Sequence, residues 1–257
     1  VLADFQLRYG ANRVGPYGCL QIIADVIKLI SKEDVMPSKA DFYGYWVGPI
    51  LMMAIPMIAF AAVPVGRELI VANLDIGILY IEAVSSVAVI GVFLSGWAPR
   101  SKFSWIGALR GMASMISYEI PLGLSVIAVA IMAGTLSTVG IVEAQSKIWF
   151  IIPQIVGFFI FYTAFLAESG TIPFDFKESE QELACGYTAE YSGMRFGLFF
   201  VGEAAHIVLG SMLVVLLFFG GWHGPVIIDP TLSGAVWFFA KTILVIWGTY
   251  LVRAALP

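Results

Sequence analysis

The segment AFLAESGTIPFDFKESEQELACGYTAEYSGMRFGLFFVGE, residues 164–203, runs from one apolar stretch through an acidic loop into a second apolar stretch. Only two cations, Lys177 and Arg195, accompany its acids. The carboxylates are Glu168, Asp175, Glu178, Glu180, Glu182, Glu190 and Glu203. Acids crowded at low dielectric repel one another, and burial favours their protonated form. The segment therefore predicts a proton-storing loop, about residues 168–193, between two helices.

The composition is that of a membrane protein. Hydrophobic residues make up 60% of the chain, charged residues make up 12%, and the mean hydropathy is +0.90. These values differ widely from those of soluble domains, and nothing in them favours a nucleic-acid partner. Cys19 and Cys185 show no metal-ligand spacing, so we predict neither a disulfide framework nor a metal or iron-sulfur site. We predict an all-α integral membrane protein.

Six stretches are long enough to cross a bilayer, which takes about 20 mainly apolar residues. They are residues 43–64, 76–97, 111–133, 149–167, 194–219 and 232–252. Continuous apolar runs of this length favour helices over the alternating strands of a barrel. We therefore expect one membrane domain over residues 1–257, built as a multi-span helical bundle. Prolines within several spans predict kinks, which serve packing or expose backbone carbonyls to a cavity.

An amphipathic helix is predicted before the first span, at about residues 19–33. Its apolar face carries Leu20, Ile23, Ile27 and Ile30, and its polar face carries Asp25, Lys28 and Lys32. That pattern is typical of a helix lying at the membrane surface. Lys and Arg concentrate in alternate loops, with only Arg67 and Lys147 on the other side. The positive-inside rule then places the acidic loop and the amphipathic helix together on the cytoplasmic side.

Several ionisable residues fall inside the apolar spans or at their ends. They are Glu82, Glu119, Glu168, Glu203, His206 and Lys241. A charge at the centre of a bilayer costs about 2.5–3.5 kcal/mol on insertion scales, so such residues usually pair or line a polar path. Together they predict a proton path. The role of Glu82 stays open between that path and a structural ion pair.

Glu203 and His206 form a Glu-x-x-His pair on one helix face. Di-iron bundles use this spacing twice, together with two further glutamates, and the sequence has no second copy. We therefore predict no metal site. His206 serves either as a proton relay or as a packed polar residue, and Lys241 needs a partner from another helix or another subunit.

Six motifs carry a resemblance to a known family. They are QLRYGANRVGPYG at 6–18, ADVIKLISKED at 24–34, SGWAPRSK at 95–102, LRGMASMISYEIP at 109–121, IPFDFKESEQELACGYTAEYSGMRF at 172–196 and VRAALP at 252–257. They resemble the H-type, or first, membrane subunit of the respiratory complex I family. That family includes archaeal deazaflavin-cofactor and ferredoxin-linked dehydrogenases and membrane-bound energy-converting hydrogenases.

The resemblance implies a subunit of an oxidoreductase in an energy-transducing plasma or inner membrane. Such subunits have eight transmembrane helices, which implies one before Val1 and one after Pro257. They form much of a quinone tunnel, and a glutamate-rich funnel couples quinone reduction to proton pumping. The implied funnel residues are Glu119, Glu168, Asp175, Glu178, Glu180, Glu182, Glu190 and Glu203. At the tunnel mouth, the implied residues are Arg8, Arg13 and Asp25.

The resemblance also implies partners and a carrier. Peripheral subunits hold the iron-sulfur clusters and complete the carrier site, while small membrane subunits and antiporter-like subunits lie alongside in the bilayer. Ser169, Gly170 and Thr171 stand where the family usually has Asn and Arg. That departure favours menaquinone, methanophenazine or a ferredoxin-driven relative over ubiquinone, with no covalently bound cofactor. The alternatives are the corresponding subunit of an energy-converting hydrogenase and an independent ion-coupled transporter.

Overall fold

The computed structural model describes residues 2–225 and 229–256, and within these ranges the chain forms helices and turns without a strand. The α-helices are α1 (Leu2–Phe5), α2 (Gln21–Ser31), α3 (Phe42–Phe60), α4 (Gly77–Ser86), α5 (Ala88–Trp97), α6 (Lys102–Ala133), α7 (Thr138–Ala144), α8 (Ile155–Ser169), α9 (Glu180–Leu183), α10 (Gly193–Phe218) and α11 (Pro230–Ala255). Short 3-10 turns occupy Pro16–Gly18 and Gly186–Thr188. The predicted all-α class is confirmed.

Five helical segments of the described chain are long and apolar enough to cross a membrane. They are Phe42–Phe60, Gly77–Trp97, Lys102–Ala133, Gly193–Phe218 and Thr231–Ala255. They correspond to five of the six predicted spans, and they make the chain a multi-pass integral membrane protein. Its organisation as a single membrane domain stays a prediction.

The remaining predicted span, residues 149–167, corresponds to a shorter helix. Helix α8 begins only at Ile155 and has 15 residues, which gives it a length of about 22 Å against the roughly 30 Å of a bilayer core. Two backbone donors ahead of it are used elsewhere: Ile151 N–H bonds Phe218 O at 3.1 Å, and Phe150 N–H bonds Gln145 Oε1 at 3.3 Å. These contacts and Pro153 delay the start of the helix.

Helix α10 is the centre of the bundle. Of its most apolar window, 67% is buried, whereas the corresponding window of α11 is 17% buried. Helix α10 packs against α3 and α8, and glycines allow the close approach. A Cβ at Gly202 would lie 2.6 Å from Met52 O of α3, and one at Gly210 would lie 1.9 Å from a ring carbon of Phe165 of α8.

The span Gly77–Trp97 is interrupted at Val87, where α4 gives way to α5. The hydroxyls of Ser85 and Ser86 donate to the backbone oxygen of Glu82 at 2.9 and 3.0 Å. Serine hydroxyls that bond back to the preceding turn compete with the helical hydrogen bonds and bend helices. The interruption therefore follows from the two consecutive serines.

The amphipathic helix predicted over residues 19–33 is observed as α2, Gln21–Ser31. The side chains of Ile23, Ile27 and Ile30 are exposed, while Leu29 lies against α10, where a Cβ at Gly197 would be 3.0 Å from Leu29 Cδ1. An exposed apolar row of this kind fits a membrane surface or a partner protein. Its position at the membrane interface stays a prediction.

A clamp made by Arg195 joins the end of α2 to the end of the acidic loop. Arg195 Nη2 lies 2.9 Å from Asp34 Oδ2, and its guanidinium carbon lies 4.0 Å from the ring centre of Trp46. Tyr45 Oη donates to Glu190 O at 2.7 Å. The structure thus has the amphipathic helix and the acidic loop at one end of the bundle, and their position on the cytoplasmic side stays a prediction.

Candidate functional site

Lys177 is the cation in the middle of the acidic loop, and its side chain is buried. Its Nζ donates to Ser169 O at 2.7 Å, at the C-terminal end of α8. Gly170 has φ +67°, and a Cβ there would lie 2.2 Å from Lys177 Cε, so the lysine stem fills the space above this residue. A cation at a helix C-terminus is stabilised by the helix dipole. The ammonium acts electrostatically on Glu168, Glu178 and His206.

Glu168 and His206 face each other between α8 and α10. His206 Nε2 lies 3.8 Å from Glu168 Oε1, and the Glu168 side chain is only 8% exposed. Both residues line a cavity of about 20 Å³ together with Glu82 of α4. Three helices therefore bring three titratable side chains to one point inside the bundle.

Glu119 of α6 contacts the same region from the other side. The hydroxyl of Ser86 lies against Glu119 Oε1 and also reaches Glu82 O. A serine hydroxyl has a single hydrogen, so it cannot donate to both acceptors at once. The Ser86 hydroxyl therefore joins Glu119 of α6 to the turn of α4 that carries Glu82.

Glu178 and Glu203 form a second, partly buried group nearer the loop surface. They line a cavity of about 30 Å³ with Cys185 and Thr188. The Glu178 N–H donates to Asp175 Oδ1 at 3.2 Å, which fixes the turn that carries the glutamate. Burial raises the pKa of Glu178 to about 7; the Glu203 carboxylate adds to the rise, and the Lys177 ammonium opposes it.

A titration near neutral pH is expected from Glu178. Folded Glu178 keeps its proton up to about pH 7, whereas an ordinary glutamate releases it near pH 4.5. Between those values the folded state binds more protons than the unfolded state, so this residue makes the free energy of unfolding fall as pH rises through the window. Infrared difference spectra of the purified complex should show a protonated carboxyl band that disappears above about pH 7.

Glu178→Gln should remove that band. The exposed Glu182 of the same loop serves as the matched control, and Glu182→Gln should leave the band unchanged. A band that persists in Glu178→Gln would assign the titration to another carboxyl group.

Two other acids of the loop are exposed. Glu182 Oε2 forms an ion pair with Arg110 Nη1 at 2.7 Å, and its side chain is 63% exposed. Glu190 is exposed. The side chain of Glu180 lies outside the described part of the structure. A role for these three acids in the proton path stays a prediction, but the exposure of Glu182 and Glu190 separates those two from Glu178.

Lys241 lies at the opposite end of α10 from the acidic loop. Its Nζ donates to three backbone carbonyls just after that helix, at Phe219 (2.9 Å), Gly221 (3.0 Å) and His223 (2.7 Å), and lies 4.6 Å from the Trp149 ring centre. The partner expected from another helix is thus a set of carbonyls at the end of α10. These contacts indicate a helix cap, and membership of Lys241 in the proton path stays a prediction.

Lys241→Met should lower stability without changing coupling. The change leaves three carbonyls without their donor, and each unsatisfied buried polar group costs roughly 1–3 kcal/mol. We expect a lower melting temperature of the purified complex and an unchanged number of protons moved per carrier reduced. A normal melting temperature combined with lost proton translocation would instead support a role in the path.

Of the residues predicted at the tunnel mouth, Asp25 lies on α2, and Arg8 and Arg13 lie in the segment between α1 and α2. Arg8, Arg13 and Asp25 are exposed. Arg8 Nε donates to Gln6 Oε1 at 2.8 Å, and Gln21 Nε2 donates to Asp25 Oδ1 at 3.0 Å. Their assignment to a tunnel stays a prediction. Because all three side chains are exposed, a tunnel at this place needs a second wall from another chain.

Sequence reasoning assigns no role to three residues of the site. It identifies Lys177 only as a cation of the loop, leaves Glu82 open and misses Ser86. A signal is present for Glu82 and Ser86, because they are four residues apart and share a helix face. Nothing in the sequence shows that Lys177 is buried between the acids. No group of metal-binding side chains occurs among the described residues.

The whole chain matches a known family. A sequence model of the NADH dehydrogenase family matches residues 1–257. The chain belongs to this family. Within the NADH dehydrogenase family it is 46% identical over 257 residues to the H-type subunit of NADH-quinone oxidoreductase from Dehalococcoides mccartyi strain CBDB1, covering 100% of this chain and 71% of that protein. The resemblance to the H-type subunit is confirmed.

Two further relatives in the NADH dehydrogenase family differ in the donor that their names state. The H-type subunit of F(420)H(2) dehydrogenase from Methanosarcina acetivorans is 44% identical over 268 residues, covering 99% of this chain and 77% of that protein. The H-type subunit of NADH-quinone oxidoreductase from Rhodospirillum centenum is 42% identical over 259 residues, covering 100% of this chain and 77% of that protein. All three relatives are subunits of oxidoreductases. The sequence identity to the F(420)H(2) dehydrogenase subunit, 44%, lies between the identities to the two NADH-quinone oxidoreductase subunits, 46% and 42%.

Proposed function

We propose that this chain is the membrane subunit of a complex I-like oxidoreductase that encloses part of the site of a lipophilic quinone-type carrier. In this proposal it couples reduction of the carrier to proton translocation. The observation that supports it most is a chain of buried and partly buried acids that leads from the acidic loop into the bundle. Glu178 and Glu203 line one cavity, Glu168 lines another, and the Lys177 ammonium acts on both Glu178 and Glu168.

Electrostatics supply the coupling. Carboxylates that interact at low dielectric do not all ionise together, so their protons are shared by the group as a whole. A change of charge at the reduced carrier, beside the loop, alters how many protons the group holds. Lys177 acts electrostatically on both Glu178 and Glu168. A change in the protonation of Glu178 therefore alters the electrostatic environment of Glu168.

The carrier site itself requires other chains. Arg8, Arg13 and Asp25 are exposed around α2 and provide charged groups for one side of a headgroup site. In this proposal, electrons come from peripheral subunits that hold iron-sulfur clusters. The relatives' names state NADH and F(420)H(2) as donors and quinone as an acceptor; menaquinone, methanophenazine and ubiquinone all belong to the proposed carrier class.

The test is reconstitution of the complex that contains this chain. Purified complex in sealed vesicles receives NADH or F(420)H(2) and a soluble quinone analogue, and a pH-sensitive dye reports proton movement. We expect donor oxidation, quinone reduction and proton translocation together, with translocation abolished by an uncoupler. Quinone reduction without proton movement, in vesicles that hold a gradient made by another pump, would contradict the coupling role.

A further inference from the structure

Glu82 is a partly buried acid that the proposed function leaves without a role. It lies on α4, outside the acidic loop, and its backbone oxygen accepts the hydroxyls of Ser85 and Ser86. Its carboxyl group lies within electrostatic range of Glu168 and Glu119. It lines the same cavity as Glu168 and His206.

One buried polar atom beside this cavity lacks a protein partner. His206 Nε2 is buried and has no hydrogen-bond partner among the described residues. Its distance of 3.8 Å to Glu168 Oε1 exceeds that of a hydrogen bond. The Glu168 side chain is more than nine-tenths buried, at 8% exposure. Leaving the His206 nitrogen unpaired is costly, and a water between it and Glu168 would satisfy it.

The cavity has the size and lining for that molecule. Its volume of about 20 Å³ exceeds the roughly 10–15 Å³ that one water occupies on this measure. A buried water usually makes about three hydrogen bonds, and Glu82, Glu168 and His206 offer three polar groups. The remaining lining is largely apolar, with Phe161 and Phe165 among it. The water is thereby held at one place.

We propose that Glu82, Glu168 and His206 bind one shared water, and that Glu82 is a further proton-carrying residue that exchanges a proton with Glu168 through it. The inference rests on the proposed function and deepens it. In the exchange, the bond between Glu168 Oε and its proton breaks as the water oxygen gains that proton. The water then gives one of its own hydrogens to Glu82 Oε, and the reverse steps return the proton.

Two further charged groups act on the trio. Glu119 of α6 adds negative charge near Glu82 and Glu168, and Lys177 adds positive charge near Glu168 and His206. Lys177 is a partner of Glu168 rather than of Glu82. The two carboxyl groups therefore experience different fields, and a change at Lys177 shifts the shared proton between them.

The test compares Glu82→Gln with Glu68→Gln in the reconstituted complex. Glu68 is an exposed acid in the loop before α4 and serves as the matched control. Loss of a positioned proton carrier typically costs 100-fold or more; we expect proton translocation to fall about tenfold or more in Glu82→Gln. Quinone reduction with uncoupler should stay within about twofold of the unmodified complex, and Glu82→Asp should restore part of the translocation. A Glu82→Gln complex with the unmodified ratio of protons to quinone overturns the inference.

A second measurement decides the case in which Glu82→Gln does not assemble. High-resolution density of the unmodified complex should show a water within hydrogen-bond distance of Glu82, Glu168 and His206, and a dry cavity overturns the inference. Failure of the proposed function would look different. In that case Glu168→Gln would also keep full coupling, whereas failure of this inference alone leaves Glu168→Gln uncoupled and Glu82→Gln normal.

Discussion

Glu168→Gln is expected to reduce proton translocation by the reconstituted complex to the background level, while quinone reduction continues in the presence of uncoupler. Glu168 lies 3.8 Å from His206, and the charges of Lys177 and Glu119 act on its carboxyl group. It therefore links the cavity inside the bundle to the acidic loop. Glutamine keeps the size of the side chain but cannot release a proton. Loss of a positioned proton-transfer group costs about 100- to 10,000-fold.

Glu143→Gln provides the control for Glu168→Gln. Glu143 forms an ion pair with Arg67 at 3.0 Å, and both side chains are well exposed on the opposite side of the predicted topology. This variant should translocate protons normally. Full coupling in Glu168→Gln, measured in the same vesicles with the pH-sensitive dye, would remove the central support of the proposed function.

Gly107→Ala is expected to prevent the acidic loop from docking on α6. A Cβ at Gly107 would lie 2.7 Å from Gly186 Cα and 2.8 Å from Tyr187 N, and both are backbone atoms that cannot rotate away. Inserting one carbon into such a contact forces backbone shifts that cost roughly 1–3 kcal/mol, occasionally more. We expect a lower melting temperature and a lower yield of assembled complex.

Gly123→Ala in the same helix is the matched comparison. A Cβ at Gly123 would have no neighbour within 4 Å. Alanine favours a helix over glycine by about 1 kcal/mol in water. The same substitution should therefore be neutral or slightly stabilising there. Equal melting temperatures for the two variants would show that the loop does not depend on the close approach at Gly107.

The helices could be predicted from the sequence because each span is a continuous apolar run. Five of the six predicted spans correspond to helices of membrane-spanning length. The start of α8 could not be predicted in this way. Its delay depends in part on the hydrogen bond from Ile151 to Phe218, which lies 67 residues further along the chain and comes close only when the chain folds.

The candidate site was predictable only in part. Residue types identified Glu168, Glu178 and Glu203 as candidates; in the structure Glu168 is buried, and the other two are partly buried beside one cavity. Sequence spacing could not separate them from the exposed Glu182, because loop acids have no periodicity that indicates burial. The cap formed by Lys241 could not be predicted either, because its acceptors are backbone carbonyls, which every residue supplies.

The Arg195 clamp has a mechanical consequence for the whole molecule. The ion pair with Asp34 ties the chain after α2 to α10, and the bond from Tyr45 to Glu190 ties α3 to the final turn of the acidic segment. In the proposed function, an arriving carrier that displaces α2 would therefore also displace α10, the helix that carries Glu203 and His206. Carrier entry would then be coupled to proton occupancy through these contacts as well as through charge.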